Sequence, residues 1–137
     1  MRLLYLADQV PNVDPAAGDG SALISYNLIT SFSDDVEIDL LTFRWGPELP
    51  AVIEERVQSV TYLPLRPMRS ALPRAAARAA DIPAEQRRTS AGMRAFLAHQ
   101  RGADVTLVHG PFLIGFAARS QGPTLFQAID PGSFTLA

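Results

Sequence analysis

The chain has 137 residues, 47% of them hydrophobic, and a formal net charge of -2, the size of one ordinary domain able to bury a core without metal or disulfide support. It contains no cysteine, which excludes disulfides, thiolate nucleophiles and cysteine-ligated zinc and suits a reducing cytoplasm. All twelve basic residues are arginine, so P-loop, Schiff-base and other lysine-dependent chemistries are excluded as well.

Arg2 to Ala7 is a short apolar run ending at Asp8. It reads as a buried parallel strand, and it is too short for a signal-peptide core or a membrane span. The loop DQVPNVDPAAGDG follows. Ser21 then opens a helix whose apolar residues Leu23, Ile24, Tyr26, Leu28, Ile29 and Phe32 are expected to form one broad side. Val36 to Phe43 begins with alternation, Glu37 and Asp39 pointing outward, which suggests a second strand nearer a sheet edge. Pro50 to Arg56 can supply a short helical turn, and Val57 to Leu63 a third strand stopped by Pro64 and Pro67.

Arg66 to Ala80 is rich in Arg, Ala and Pro with little periodicity, a surface excursion. Asp81, Pro83 and Glu85 mark the start of a long helix from Pro83 to Gln100, with Gly92 a weak point inside it and Gly102 a stop. Asp104 to His109 is another apolar run, Phe112 to Ser120 can form a helix after Pro111, and Thr124 to Ile129 is a final strand capped by Asp130. Strands alternating with helices predict an α/β fold: one Rossmann-like domain over residues 1–137, an open and mainly parallel sheet with helices on both faces.

The net charge hides a basic middle, since Pro64 to Arg101 holds eight arginines against Asp81 and Glu85. A solvated helix face is the commoner reading of such a block, with an anionic membrane surface or a phosphorylated substrate as alternatives. It has no aromatic residue before Phe96, so recognition of stacked nucleic-acid bases has little support.

In open α/β sheets ligands bind beyond the carboxyl ends of the strands. Those ends carry Asp8 with the Gly18, Asp19, Gly20 loop, His109 with Gly110, and Asp130 with Gly132 and Ser133. Gly18 and Gly20 precede the first helix, where bare backbone N–H groups can approach an anion, or they merely shape a turn. The dinucleotide fingerprint G-x-G-x-x-G is not met, because Leu23 takes the third position. His109 can act as acid, base or hydrogen-bond partner of a hydroxyl, or be structural. His99 lies in a helix and is read as structural, and the two histidines lack zinc-ligand spacing. Asp130 can bind hydroxyls, orient a base or cap a turn.

Taken in order, MRLLYLADQVPNVDPAAGDGSALISYNLITSF, VEIDLLTF, DVTLVHGPF and PTLFQAIDPGS resemble the amino-terminal domain of bacterial family 4 glycosyltransferases, of the GT-B fold. Pro11 to Phe32, TLVHGPF and FQAIDPGS carry most of the resemblance. It implies retaining transfer of a sugar from a nucleotide-sugar donor, without a resident cofactor or metal, in polysaccharide or glycoconjugate synthesis. By the same resemblance Gly18, Asp19 and Gly20 approach the donor diphosphate, and His109 and Asp130 are the catalytic candidates. Many relatives have adjacent glycines where Asp19 intervenes here, and a histidine near the position of Asp130. The donor-binding carboxyl-terminal domain would lie beyond Ala137, so the 137-residue chain is expected to be inactive by itself. It is also expected to expose apolar surface that promotes self-association, and to be cytoplasmic, with peripheral contact to the inner membrane face as a variant. The competing reading is a non-catalytic Rossmann-like module that binds a nucleotide, sugar or protein.

Overall fold

The structure is a computed structural model, and it describes residues 1–14, 20–44, 47–64, 89–110 and 113–127. In chain order the elements are β1 (Arg2–Ala7), α1 (Gly20–Ser31), β2 (Glu37–Phe43), α2 (Ala51–Arg56), β3 (Ser59–Leu63), α3 (Ser90–Gln100), β4 (Val105–His109), α4 (Ile114–Ala117) and β5 (Thr124–Gln127). The five strands form one sheet in the order β3-β2-β1-β4-β5, and every neighbouring pair is parallel. The domain is therefore α/β and Rossmann-like.

β1 sits at the centre, which explains its unbroken apolar run: a strand covered on both faces has no solvent side on which to place polar residues. Alternate β1 residues feed two separate cores. Leu3, Tyr5 and Ala7 pack with Ile38 and Leu40 of β2, Ile29 of α1 and Ile53 of α2. Leu4 and Leu6 pack on the other face with Leu41, Phe43, Phe96 of α3 and Phe116 of α4. Phe96 and Phe116 meet edge to face at 5.4 Å between ring centroids, and Phe116 meets Phe43 at 6.1 Å, an arrangement favoured by the ring quadrupoles.

Three sequence expectations are corrected. β2 does lie nearer a sheet edge than β1, as expected, with β3 outside it. Its Asp39 is buried rather than outward, because Arg2 Nε and Ser59 Oγ donate to its two oxygens at 2.7 and 2.5 Å. The third strand starts at Ser59, since Val57 closes α2 and donates its N–H to the Ile53 carbonyl. The long helix does not run unbroken from Pro83: Thr89 is extended (φ -96°, ψ 155°), and its hydroxyl accepts from the Gly92 N–H at 2.9 Å. Thr89 is thus an N-cap, and Gly92 lies in the first turn rather than mid-helix. What precedes Thr89 in that helix, and the Arg66 to Ala80 excursion, lie outside the described residues.

Most of the expected apolar side of α1 faces the core, with Tyr26, Leu28 and Phe32 packed against the cluster that holds buried Ile29. Ala22, Ser25 and Ile29 are buried while Leu23 is exposed. Apolar residues occur all round this helix, and small side chains at 22 and 25 allow it to sit close over β1. Among the described residues no helix is long and apolar enough to cross a membrane.

Candidate functional site

The strand order places β2 and β3 on one side of β1 and β4 and β5 on the other. The connections leaving β1 and β4 at their carboxyl ends therefore diverge, and a crevice opens between them, the place where open α/β sheets take ligands. Ala7 and His109 are register partners at the ends of these two strands. The residues that follow, Asp8 and Gly110, flank the crevice.

Asp8 is buried, with 3% of its surface exposed. Its Oδ1 accepts a hydrogen bond from Ser21 Oγ at 2.8 Å, which ties the end of β1 to the first turn of α1. The Asn12 N–H donates to the Ala22 carbonyl at 3.2 Å and holds the loop to the same turn. Gly110 has φ +125°, and a Cβ built on it would lie 2.6 Å from Asp8 Cγ. The carboxyl group of Asp8 thus presses on the Gly110 backbone, and only glycine combines that φ with that contact. Gly20 differs: an added Cβ would meet no atom within 4 Å and its φ is not positive. Neither packing nor backbone conformation demands glycine there, and the amino-terminal turn of α1, with the positive end of its helix dipole, is tied to Asp8 through Ser21.

His109 is completely buried. Its Nδ1 lies 3.1 Å from Gln127 Oε1 on β5, its ring is 6.2 Å from that of Tyr5, and its Nε2 has no hydrogen-bond partner among the described residues. Leaving a buried polar atom unpaired typically costs about 1–3 kcal/mol, so an orphan of this kind at a strand end marks a functional candidate. Burial pushes the Tyr5 hydroxyl well above its ordinary pKa, and the charge of Asp8 adds to this against a lowering contribution from Ser25. Tyr5 stays a neutral phenol, 3.2 Å from Ser25 Oγ.

Of the sequence candidates, Gly20 and His109 come to this crevice, linked through Ser21, Asp8 and Gly110. Gly18, Asp19 and Asp130 lie outside the described residues. Gln127 was not singled out by sequence, because a cross-strand partner at this separation leaves no local pattern, and Ser21 was read only as the opening of a helix. A second feature was also missed. On the β2 and β3 side of the same carboxyl edge, a cleft of about 590 Å³ is lined by Val10, Arg44, Leu49, Glu54 and Tyr62 among others, within the size range of small-molecule sites. The Arg44 guanidinium lies 4.7 Å over the Tyr62 ring, a cation–π contact. Reading the residue after each strand would have found Arg44, which directly follows β2.

No protein-family model matches the chain, and no curated protein matches it in sequence. Among solved structures, it is similar to a UGT transferase from Siraitia grosvenorii in complex with UDP, at 13% identity and a TM-score of 0.49, covering 91% of this chain and 27% of that one. The chain thus spans about a quarter of that protein's length.

Proposed function

We infer that this domain is the amino-terminal, acceptor-side half of a retaining glycosyltransferase that takes its sugar from a nucleotide-sugar donor. The observation that carries the reading is the convergence, at the β1/β4 crevice, of the amino-terminal turn of α1 at Gly20 and Ser21 with Asp8 and His109. A helix terminus suits the diphosphate of a donor. A buried imidazole with a vacant nitrogen suits a hydroxyl. The sequence resemblance of this same loop, and of TLVHGPF, to family 4 enzymes supports the combination.

In this reading backbone N–H groups at Gly20, together with Gly18 and Asp19, meet the charge that develops on the departing diphosphate. Preorganised donors of that kind stabilise a transition state without reorganisation. His109, together with Asp130, meets hydroxyls of the substrates and orients them, and positioning alone can supply much of the rate. The grip on the nucleotide and donor sugar belongs to a second domain following this one, and the Arg44 and Tyr62 cleft lies where an acceptor could extend.

The test is sugar transfer by the full-length protein. His109→Ala is expected to lower kcat/KM by roughly 10²–10⁴-fold, the usual contribution of a positioned acid or base. Unchanged transfer would remove His109 from the chemistry, and nucleotide binding without any transfer would leave a binding module. The 137-residue chain alone is expected to show no transfer. Turnover by it at the usual enzymatic scale of about 1–10³ s⁻¹ would contradict the division of labour.

A further inference from the structure

His109 offers more than a candidate position, because its environment decides which nitrogen carries the hydrogen. Its Nδ1 is 3.1 Å from Gln127 Oε1, and an amide oxygen has only lone pairs to give. The hydrogen in that contact therefore belongs to Nδ1. In the neutral ring the remaining lone pair then falls to Nε2, the atom that is buried and without a partner among the described residues. The pairing is enforced by the fold: His109 and Gln127 are register partners on adjacent parallel strands, and the Gly110 N–H donates to the Gln127 backbone carbonyl at 3.0 Å. Ring and amide are thus held side by side, with backbone hydrogen bonds on either side of the contact.

We propose that Gln127 is a positioning residue that locks His109 in the Nδ1–H form and so reserves Nε2 as a hydrogen-bond acceptor. A group that reaches Nε2 must then bring its own hydrogen. A sugar hydroxyl does so, whereas a fully ionised phosphate oxygen offers only lone pairs and meets repulsion. The two halves of the crevice consequently differ in taste, with anions favoured at the amino-terminal turn of α1 and hydroxyls at His109. This rests on the reading of the crevice as a site for a hydroxyl-bearing substrate, and it names the residue that would set that preference.

The experiment is nitrogen NMR of the imidazole rings in the substrate-free protein. Only His99 and His109 are present, so a His99→Gln variant assigns the signals. The wild-type ring of His109 is expected to show a protonated Nδ1 and an unprotonated Nε2. Gln127→Leu, which keeps bulk at a half-buried position of the edge strand but removes the acceptor, is expected to shift the ring toward Nε2–H. Gln127→Glu, which retains an acceptor oxygen at similar reach, is expected to preserve Nδ1–H. A wild-type ring protonated at Nε2 would mean that the amide is turned to donate, and it would overturn the proposal before any variant is made. A ring unchanged in Gln127→Leu would overturn it too. Because no substrate is present, a failed transferase assay leaves this result standing, and a wrong tautomer leaves the transferase reading to its own test.

Discussion

Gly110 concentrates two constraints in one residue: a φ of +125°, and a neighbouring carboxyl that would sit 2.6 Å from any Cβ. Gly110→Ala is expected to destabilise the domain by roughly 2–3 kcal/mol, from backbone strain together with displacement of Asp8, as read by urea denaturation. Asp8→Gly in the same chain should recover the part owed to the clash and leave the strain. Wild-type stability in the single variant would show that the contact is easily relieved. At the opposite edge of the sheet, burial pushes the carboxyl of Asp39 upward, but the hydrogen bonds from Ser59 and Arg2 and the Arg2 charge together outweigh it and hold its pKa below the ordinary 3.8. With the folded value depressed, this carboxylate contributes stability above the unfolded value and loses it as pH falls through the folded one. Asp39→Asn should therefore weaken the domain at neutral pH, and the difference should fade below about pH 4, near the unfolded value. A difference that persists undiminished at low pH would assign the effect to packing instead.

Among the elements, α3 shows how a single side chain sets a boundary. The Thr89 hydroxyl satisfies the Gly92 N–H at 2.9 Å, one of the donors that a helix start leaves without an internal partner. Thr89→Ala is expected to cost about 1 kcal/mol and Thr89→Ser to restore most of it; equal stability of all three would mean water caps the helix as well. Further along, fully buried Phe96 anchors α3 through its edge-to-face contact with Phe116. Phe96→Ala should cost about 3–5 kcal/mol, a large fraction of the roughly 5–15 kcal/mol by which domains are usually stable. The strands were legible in sequence to within a residue or two, since β1, β2 and β4 are runs too apolar to sit anywhere but inside. Helix starts were less so: the cap at Thr89 was not read from the sequence, and Leu23, counted with the apolar side of α1, is exposed.

Across the whole molecule, the sheet is unevenly covered. β2 is buried from Ile38 to Phe43, whereas β5, at the edge, leaves Leu125 62% and Phe126 37% exposed, with Ile114 of α4 at 59% nearby. Exposed edge strands with apolar side chains invite pairing. The 137-residue chain is expected to self-associate at high concentration, and Leu125→Arg to suppress it. Light scattering that finds a clean monomer for both at equal concentration would rule the edge out. The candidate site depends on the molecule at this same scale. Alternation of apolar runs and helices determined the α/β class, the burial of β1 and the strand ends worth inspecting, because burial on two faces demands that composition wherever it occurs. Which ends meet was decided only by tertiary structure. The 3-2-1-4-5 order sets Asp8 against Gly110 although about a hundred residues separate them along the chain, and strand register alone brings Gln127 to His109. A one-dimensional pattern records which side chains need shelter; hydrogen-bond geometry between strands decides which of them share it.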